Sequence, residues 1–569
     1  MKTLIKIFIG TCLCFLFTAS TSLDKDYPKS DFIAPVKTAI RLSGTFGELR
    51  SNHFHSGIDI KGGIGVPIYA IGEGYISRIK VDGGGYGNVL YMSHPNGFTS
   101  VYAHLNEFSP EIAKYVKELQ LSSETFELDV NPPVDSFSYE QGELIGKMGT
   151  TGYSFGPHLH FEIRDSETDI PVNPLLFGFK VPDRTRPRMH QLRVYELNEA
   201  HETINASSVS LYSKSSRYSL RDTIEVSSNN VGFALKVYDH MDGVRNWNGI
   251  YELDTYMDDS LIYHFDMEKF GFEEWRYINA HMDYPEQQKN SWFNRCYLLP
   301  GNKLSIYESG NGVIDLVNNK SKSIKIIAKD IKGNSSTLSF YVKKKNAKEK
   351  TTTNKDYNYF LPYDEESIIE NDPLFLHFPK GAFYENVYLK YNIAKESSHN
   401  IYSEMHLIHN RFTPVHEFFE LGIATNQVPD SLKSKAFIAY CGKNDKIVNC
   451  GGKWQGNQLT TKVRNFGDYC IMLDEVAPTV KPSSFRYNLR GRRSMSFKIQ
   501  DNLPTGGTAD ELSYTAKVDG KWILMNYDAK NDLIFHRFDG SISKGEHEIE
   551  VIVTDDRGNE GVFNSKFVL

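Results

Sequence analysis

The feature that most constrains the fold is a five-residue run in which polar and apolar residues alternate. The run is His158-Leu159-His160-Phe161-Glu162, and it follows Gly156-Pro157 directly. Alternation with a period of two is typical of a β-strand with one buried face, and side chains two positions apart lie on the same face of a strand. The pattern therefore predicts a strand whose two histidines point into one cleft while Leu159 and Phe161 pack behind them.

A second motif, His55-Ser56-Gly57-Ile58-Asp59, lies roughly 100 residues earlier in the chain. Zinc sites are built from histidine nitrogens and carboxylates, and a catalytic zinc site keeps one position open for water. His55, Asp59 and His160 have the chemistry of three such ligands. A single H-x-H or H-x-x-x-D is more often structural, but both occur here in one segment of domain size. A further histidine, His104, lies between them in a strand-like run, and the combination favours a metal site.

At these residues the chain resembles the lysostaphin/LytM-type zinc metallopeptidases, which cleave peptide cross-bridges of bacterial cell walls. The resemblance covers about residues 40 to 178, and its motifs are His55-x-x-x-Asp59, Tyr102-Ala103-His104-Leu105 and the stretch from Gly149 to Glu162. It implies a mostly β domain with a narrow groove over a Zn²⁺ ion. It also implies three metal ligands, His55, Asp59 and His160, and a catalytic pair, His158 and His104.

Neighbouring side chains receive provisional roles from the same pattern. His158 shares the strand face of His160 and is expected to act as the general base, because a neutral histidine can accept a proton from water. His104 is expected either to hydrogen-bond the developing oxyanion or to orient the water. Glu162 lies on the same face and either orients a ligand imidazole or is structural. His53 is interpreted either as a groove residue or as an exposed polar side chain.

The length and composition indicate several globular domains. A chain of 569 residues is too long for one core, and 40% hydrophobic with 13% aromatic residues fit β-rich domains rather than disorder. The predicted fold is mainly β: a small antiparallel β catalytic domain followed by immunoglobulin-like β-sandwich domains. The predicted organisation is a signal peptide (1–22), a zinc metallopeptidase domain (23–182), an immunoglobulin-like domain (183–342), a linker (343–356), a β-rich domain (357–475) and an immunoglobulin-like domain (476–569).

The two predicted immunoglobulin-like domains rest on an internal repeat. Strands that alternate and end in Asp-x-x-Gly-Asn turns are typical of such sandwiches. The first copy is expected to carry an insertion near residues 266 to 312. Three pairs of segments occur in the same order in both copies: Lys325–Asn334 with Glu550–Asn559, Leu235–Asp239 with Phe497–Asp501, and Leu261–His264 with Leu533–His536.

Within the metallopeptidase domain, short β-prone segments alternate with glycines. The turn Pro95-Asn96-Gly97 predicts a hairpin between Asn88–Ser93 and Phe98–His104. Gly83-Gly84-Gly85 is not a phosphate-binding loop, since no Lys-Ser/Thr follows it and no helix pattern begins there.

Residues of about 107 to 140 are interpreted as an insertion. Ser109 and Pro110 favour a helix start, and Ile112, Val116 and Leu119 fall on one helical face. The element is expected either to line one side of the groove or to be a surface insertion that does not contact the groove.

The first residues have the pattern of a secretory signal. Lys2 and Lys6 precede an apolar run, Ile7–Phe17, that is too short for a membrane span. Small residues at 18 to 20 suit cleavage, and a lipoprotein through Cys12 or Cys14 is the alternative. After cleavage no other stretch is expected to cross a membrane, so the predicted location is the periplasm or cell envelope.

Four cysteines remain after the predicted cleavage: Cys296, Cys441, Cys450 and Cys470. An even number in an exported chain suggests disulfides, with three possible connectivities. Cys441 and Cys450 flank a hairpin turn, and this pair is the favoured disulfide; thiols are the alternative.

The predicted function is an exported zinc metalloendopeptidase that hydrolyses peptide cross-links of bacterial peptidoglycan, with a zinc-activated water attacking the scissile carbonyl. The predicted partners are peptidoglycan peptide stems or bridges. The alternatives are a non-enzymatic or gated regulator of other cell-wall hydrolases and a peptidase acting on exported proteins. The net charge of −7 comes with no evident basic patch, which argues against a nucleic-acid partner.

Overall fold

The computed structural model describes residues 27–317, 320–345, 356–394, 400–442 and 446–569. The predicted signal peptide and most of the predicted linker lie outside the described residues. Inside those ranges, no helix combines the length and the apolar character that crossing a bilayer requires. Four large clusters of buried apolar side chains follow one another along the chain. We refer to the N-terminal domain (27–182), the second domain (183–342), the third domain (357–475) and the C-terminal domain (476–569). The predicted mainly β fold is confirmed.

The N-terminal domain is built on a nine-stranded sheet with the order β1-β2-β11-β6-β5-β4-β8, in which β9 also pairs with β4 and β12 also pairs with β11; β3, β10 and β7 form a smaller sheet. Its elements are β1 (Leu42–Gly44), β2 (Ile58–Lys61), β3 (Pro67–Tyr69), β4 (Gly74–Val81), β5 (Val89–Ser93), β6 (Phe98–Ala103), β7 (Leu105–Phe108), α1 (Pro110–Ser122), β8 (Leu128–Val130), β9 (Ser138–Tyr139), β10 (Leu144–Met148), β11 (His158–Asp165), β12 (Pro171–Val172) and a 3-10 turn (Pro174–Phe177).

The alternating run forms β11, in the middle of this sheet. Leu159 and Phe161 are completely buried in the core of the domain, and the intervening polar residues lie on the other face. The predicted hairpin is also present, because β5 and β6 pair antiparallel on either side of the Asn96-Gly97 turn. The local pattern of these segments agrees with their tertiary environment, which is why they were readable from the sequence.

Helix α1 begins at the predicted position, with Pro110 in its first turn, and buries Ile112 and Val116 in the core of the N-terminal domain. The segment after it returns to the sheet, where β8 pairs with β4 at the opposite end from β1 and β2. Lys117 forms an ion pair with Asp539 of the C-terminal domain. These contacts make the segment part of the domain core and of a domain–domain contact, and none of them reaches the metal-ligand strands.

The second domain contains a five-stranded and an eight-stranded sheet around a shared core. Its elements are β13 (Arg188–Leu197), β14 (Thr203–Ser210), β15 (Tyr212–Lys214), β16 (Arg217–Ser219), β17 (Ile224–Val226), β18 (Asn230–Tyr238), β19 (Glu252–Met257), β20 (Ser260–Asp266), a 3-10 turn (Phe272–Tyr277), α2 (Ile278–His281), α3 (Tyr284–Gln287), β21 (Asn294–Arg295), β22 (Tyr307–Ser309), β23 (Ile314–Asp315), β24 (Lys322–Lys329) and β25 (Ser335–Lys344).

Two aromatic side chains of the N-terminal domain belong to the core of the second domain. Phe46 and Phe54 are both buried there. Their rings lie 4.7 and 5.3 Å from the ring of Phe270, and Phe54 also meets the ring of His281. The loop that runs up to His55 is therefore fixed by packing against another domain.

The third domain has two five-stranded sheets and a two-stranded ribbon. Its elements are β26 (Tyr359–Leu361), β27 (Ser367–Asn371), β28 (Leu374–Phe378), β29 (Val387–Leu389), β30 (Tyr391–Ala394), β31 (Met405–Ile408), β32 (Phe419–Ala424), a 3-10 turn (Asp430–Lys435), β33 (Ala436–Cys441), β34 (Ile447–Asn449), β35 (Lys453–Gln455), β36 (Gln458–Val463) and β37 (Gly467–Leu473).

The C-terminal domain has two four-stranded sheets that enclose one core. Its elements are β38 (Thr479–Pro482), β39 (Ser494–Gln500), β40 (Ser513–Val518), β41 (Lys521–Trp522), β42 (Asn526–Asp528), a 3-10 turn (Ala529–Asn531), β43 (Leu533–Arg537), β44 (Glu546–Thr554) and β45 (Glu560–Val568).

Two of the three repeated segment pairs occupy equivalent places in the second and C-terminal domains. In each copy the Asp-x-x-Gly-Asn turn joins the last two strands, β24 to β25 and β44 to β45, which pair antiparallel. The third pair is wrong as a structural equivalence. Strand β20 pairs with β19, whereas β43 pairs with β39 in the other sheet. A four-residue apolar match cannot specify a strand's partner, because pairing depends on the whole sheet.

The predicted disulfide between Cys441 and Cys450 is wrong, and no disulfide joins the four cysteines of the described chain. The strand register is the reason. Cys441 lies opposite Ile447 in the β33–β34 hairpin, while the amide of Cys450 donates to the carbonyl of Ile438. The nearest sulfur to that of Cys441 belongs to Cys470, 3.8 Å away, which is beyond the ~2.05 Å of a disulfide.

Candidate metal centre

Strand register brings the predicted site residues together. Asp59 on β2 lies opposite His160 on β11, and Ala103 on β6 lies opposite His160 on the other side. His104 follows Ala103 at once and has a left-handed backbone with φ of 59°, a conformation that costs energy for a residue with a Cβ. The turn redirects the imidazole toward β11. Three segments that are distant in sequence thus meet at one edge of β11.

The three predicted ligands form a compact donor set. Nε2 of His55 lies 3.0 Å from Oδ1 of Asp59 and 3.0 Å from Nδ1 of His160. Nδ1 of His160 lies 3.1 Å from the same carboxylate oxygen. All three side chains are buried, and their atoms could hold a metal ion.

The second nitrogen of each ligand imidazole fixes which nitrogen carries the proton. Nδ1 of His55 lies 2.8 Å from the carbonyl oxygen of Thr45, and Nε2 of His160 lies 2.8 Å from Oε1 of Glu162. Because a carbonyl or carboxylate oxygen only accepts, these nitrogens donate. When both imidazoles are neutral, two nitrogen lone pairs and one carboxylate oxygen therefore converge, and this arrangement is matched to a cation.

The spacing of the donors fits zinc. Tetrahedral Zn²⁺ holds nitrogen and oxygen ligands at about 2.0–2.2 Å, so its ligands are roughly 3.3 Å from one another, close to the observed 3.0–3.1 Å. Two histidines and one carboxylate also suit non-haem iron. The choice of zinc therefore comes from the family of the domain, given below.

The protein groups alone create a strongly perturbed electrostatic environment. Burial opposes ionisation of Asp59, but the imidazoles of His55 and His160 hold the pKa of this carboxyl well below its usual range. Burial lowers the pKa of His55. At His160 burial acts in the same direction, yet the hydrogen bonds with Asp59 and Glu162 outweigh it and raise the pKa to about 9. Without a metal, His160 thus holds a second proton near neutral pH, and a cation bound between His55, Asp59 and His160 would displace it.

Glu162 accepts hydrogen bonds from several side chains behind the donor set. Its Oε1 accepts from Ser56 Oγ at 2.6 Å and from Tyr86 OH at 2.7 Å, besides His160. Its Oε2 accepts from Nε of Arg164 at 2.6 Å. Burial opposes its ionisation, but Arg164 and His160 keep its pKa well below the usual range. The ring of Tyr86 also stacks on His160 at 4.8 Å, so the imidazole is held on its edge and its face.

The two predicted catalytic histidines lie beside the donor set. Nδ1 of His158 lies 2.8 Å from the carbonyl oxygen of Gly156, and its Nε2 lies 3.5 Å from Oδ1 of Asp59. Nδ1 of His104 lies 2.8 Å from the carbonyl oxygen of Thr151. The two rings are 4.8 Å apart. In both, Nδ1 donates to a carbonyl, so Nε2 is left as an acceptor.

Residues from other domains border the centre. His53 is exposed, and its ring lies 5.2 Å from the ring of Trp275 of the second domain in a tilted arrangement. On the other side, Phe155 is fully exposed in the loop before β11, and Lys530 of the C-terminal domain donates to the carbonyl of Ser154 at 2.6 Å. His53 is thus an exposed polar residue that lies next to the metal centre.

Sequence reasoning missed four of the side chains that position the site. Ser56, Tyr86 and Arg164 all bond Glu162, and Arg50 donates to Oδ2 of Asp59 at 3.1 Å. Arg164 continues the period-two pattern of β11 and was readable in principle. Tyr86 follows the Gly83-Gly84-Gly85 run, and nothing local marks it.

The fold and the donor set define a β domain with a two-histidine, one-aspartate metal centre and two further histidines at its side. Residues 53–121 and 138–174 match the model of Peptidase family M23. The chain therefore contains a domain of Peptidase family M23, whose members are zinc metallopeptidases, and zinc is the metal this centre would hold. Residues 358–474 match a Zu5-like domain.

Curated relatives match about a fifth to a quarter of the chain. A DD-carboxypeptidase/endopeptidase Mpg of Neisseria meningitidis serogroup B is 33% identical over 151 residues, which is 26% of this chain and 29% of the relative. The peptidoglycan DD-endopeptidase ShyC of Vibrio cholerae is 29% identical over 122 residues, 21% of this chain and 22% of the relative. The chain thus spans less than a third of the length of these relatives.

Among solved structures, the catalytic domain of lysostaphin from Staphylococcus simulans is 23% identical, with 24% of this chain and 92% of that chain covered and a TM-score of 0.19.

Proposed function

We propose that the protein is an exported zinc metalloendopeptidase that hydrolyses peptide cross-links of bacterial peptidoglycan. The observation that carries the proposal is the convergence of three metal-ligating side chains, His55, Asp59 and His160, beside two histidines that each present an acceptor nitrogen. A purely structural metal site would be closed by a fourth ligand, whereas His158 and His104 fit proton transfer.

His55, Asp59 and His160 would hold the zinc, which when bound supplies Lewis-acid activation of water and of the scissile carbonyl. His158 acts as the general base: its Nδ1 is committed to Gly156, and Nε2 accepts the proton of the attacking water and passes it to the leaving amine. Glu162 and Tyr86 hold the His160 ring in place.

The hydrogen bonding of His104 favours one of its two expected roles. Because Nδ1 donates to Thr151, Nε2 offers a lone pair and not a proton. Burial and the neighbouring histidines lower the pKa of His104 to about 3, so the ring is neutral near pH 7. A neutral ring in this tautomer accepts from water. We therefore assign His104 to orienting the water rather than to donating to the oxyanion.

Peptidoglycan is proposed as the substrate because relatives of the domain carry names such as peptidoglycan DD-endopeptidase. Export is proposed because the segment from Lys2 to Phe17 has the charged and apolar pattern of a secretory signal. Both proposals concern the whole protein, of which the matched domain is about a quarter.

The test is digestion of purified peptidoglycan sacculi by the mature chain, with and without a chelator, beside His158→Ala. Released fragments are identified by mass spectrometry. We expect chelator-sensitive cleavage at a peptide bond and its loss in the variant.

Failure of a zinc-loaded chain to release any fragment would contradict the proposal. It would leave a regulator of other hydrolases, or a peptidase for exported proteins, as the function of the same site. Cleavage of a denatured exported protein in a parallel reaction separates these two.

A further inference from the structure

A second cluster of carboxylates lies where the N-terminal domain meets the second domain. Asp183 precedes β13, Asp239 follows β18, and Asp330 follows β24. Ligand-type oxygens of the three side chains lie within 4.8 Å of one another, and Asp239 and Asp330 are buried. The three residues come from separate segments, so their proximity is a product of the fold.

These carboxylates line a small cavity between the two domains. Its volume is about 20 Å³, which is enough for one water-sized particle. Thr45 and Phe46 contribute to it from the N-terminal domain, and the backbone from Gly249 to Tyr251 contributes from the second. The cavity is thus large enough for a single ion and too small for an organic ligand.

Polar atoms in this cavity lack hydrogen-bond partners. Oγ1 of Thr45 and Oδ1 of Asp239 make no hydrogen bond to any described residue, although the two residues are only 8% and 2% exposed. An unsatisfied buried polar group costs about 1–3 kcal/mol, and native proteins rarely leave one without an explanation. Thr45 is not part of the acidic cluster, so its unsatisfied hydroxyl is an independent sign of a ligand.

The described residues provide no basic partner for the cluster. No Lys, Arg or His side chain among them lies within ion-pair distance of Asp183, Asp239 or Asp330. Burial and the neighbouring carboxylates raise the pKa of Asp239 to about 8, and burial raises the pKa of Asp183 to about 6. Three carboxylates are therefore held together against their mutual repulsion.

The internal repeat provides a comparison within the same chain. Asp474, Asp501 and Asp555 form the corresponding cluster of the C-terminal domain, and Asn559 binds Asp474 and Asp555 as Asn334 binds Asp183 and Asp330. Both clusters contain buried carboxylate oxygens without a hydrogen-bond partner, Oδ1 of Asp239 in one and Oδ2 of Asp474 and Oδ1 of Asp501 in the other. The copies differ in a neighbouring lysine. Lys435 donates to Oδ1 of Asn559 at 2.6 Å. Burial raises the pKa of Asp474, and the ammonium of Lys435 offsets part of this rise. The second cluster already has a protein cation nearby.

We propose that Asp183, Asp239 and Asp330 bind a Ca²⁺ ion, with the hydroxyl of Thr45 facing the same ion. The donors are all oxygen, which suits a hard cation. Calcium–oxygen bonds of 2.3–2.6 Å place opposite ligands at most about 5 Å apart, and the ligand oxygens of the three carboxylates all lie within 4.8 Å of one another. Backbone carbonyls and water complete the coordination that three carboxylates begin.

The ion would join two domains next to the metal centre. Thr45 belongs to the N-terminal domain, and its carbonyl accepts from Nδ1 of the ligand His55. Asp239 and Asp330 belong to the second domain. Calcium would thus brace the loop that carries the first zinc ligand, without entering the zinc centre itself.

The test is calorimetric titration of the full zinc-loaded chain with CaCl₂, with zinc content measured before and after. Unmodified chain is compared with Asp239→Asn and with Asp501→Asn, the same substitution at the repeated position. We expect a Ca²⁺ site that Asp239→Asn weakens by roughly 10-fold or more and that Asp501→Asn leaves unchanged.

Absence of calcium binding by the unmodified chain at millimolar CaCl₂ would overturn the proposal, and so would equal affinity in Asp239→Asn. A rise in Tm with CaCl₂ that is present in the unmodified chain and lost in Asp239→Asn provides a second readout. Should Asp239→Asn fail to fold, Asp183→Asn, at a less buried ligand, takes its place in both measurements.

Discussion

At the scale of single residues, the site works by fixing one nitrogen of each histidine so that the other is free for chemistry. Carbonyls of Thr45, Gly156 and Thr151 and the carboxylate of Glu162 perform this for the four imidazoles. The difference between a ligand and a base then depends only on where the remaining nitrogen points. This division can be tested one side chain at a time.

The ligand and the base should separate when zinc content and turnover are measured together. We expect Asp59→Ala to lose zinc, because it removes the anionic member of the donor set. We expect His158→Ala to retain zinc and to lose about 10²–10⁴-fold in kcat, the usual contribution of a positioned general base. Elemental analysis and sacculus digestion are the measurements, and normal zinc binding by Asp59→Ala would refute the ligand set.

Glu162 should matter through His160. The substitution Glu162→Gln keeps the shape but removes the charge that binds Ser56, Tyr86, Arg164 and His160. We expect zinc affinity to fall by about 10–100-fold, as is typical when the partner of a ligand histidine is lost. Competition with a chelator measures this affinity. Glu167→Gln, an exposed residue of the following turn, is the control and should bind zinc normally.

The sequence predicted the residues whose position follows from a local pattern. It did not predict the residues that reach the site only through tertiary contacts. His158 and His160 could be placed on one strand face because the period of a strand is fixed. Tyr86 and Arg50 could not be placed, since each reaches the site across the fold. Glu162 is an intermediate case, because the strand face on which it lies was predictable and its four hydrogen-bond partners were not.

At the scale of elements, the loop before β2 depends on the second domain. Phe54 directly precedes His55 and is fully buried against Phe270 and His281. We expect Phe54→Ala to lower the free energy of unfolding by about 3–5 kcal/mol, the usual loss for a buried phenylalanine, and to weaken zinc binding. Chemical denaturation and chelator competition measure the two effects. Phe155→Ala is the control, because its fully exposed ring should leave stability within about 0.5 kcal/mol.

The turns that end β18 and β24 should make stability depend on pH when calcium is chelated. The folded protein raises the pKa of Asp239 to about 8, above the ~3.9 of an unfolded chain. A raised pKa in an acid means that the folded state binds more protons. This contribution to stability is therefore full below about pH 4 and is lost as the pH rises through about 8.

The measurement is thermal unfolding at several pH values in a calcium chelator. Asp239→Asn cannot titrate at this position, so the difference between the unmodified chain and the variant isolates the effect. We expect the stability of the unmodified chain relative to the variant to decline from pH 5 to pH 8. A difference that stays constant or grows with pH would contradict the pKa shift.

Elements were predictable where local and tertiary preferences coincide. The β5–β6 hairpin and the first turn of α1 carry their own turn and cap residues. The pairing of Cys441 with Cys450 failed because strand register, and not proximity in sequence, decides which residues face each other. The match between Leu261–His264 and Leu533–His536 failed for the same reason.

At the scale of the whole molecule, two domains that follow the M23 domain in the sequence contact residues next to its metal centre. Trp275 of the second domain meets His53, and Lys530 of the C-terminal domain meets Ser154. These contacts join residues more than 200 positions apart in the sequence. No periodicity or motif encodes such a distance, so the sequence predicted separate domains and left their relation to the site open.

The contact of the C-terminal domain with the loop before β11 should therefore affect substrate binding. The amide of Ala529 donates to the carbonyl of Gly83, and a Cβ on Gly83 would lie 2.3 Å from the ring of Tyr527. Gly83→Ala should thus displace this domain without altering any side chain of the metal centre. We expect a several-fold rise in the KM for sacculi and unchanged zinc content. Faster hydrogen exchange in residues 526–532 would show the loosened contact.

The matched control is Gly63→Ala, the same substitution in the same domain at a position where an added Cβ meets nothing within 4 Å. It should leave KM, zinc content and hydrogen exchange as they are. If Gly83→Ala loosens residues 526–532 and leaves KM unchanged, the C-terminal domain contacts the M23 domain without contributing to the substrate cleft. If KM rises together with the exchange rate, the Lys530–Ser154 contact holds the loop of Tyr153 and Phe155 in the conformation that the substrate meets.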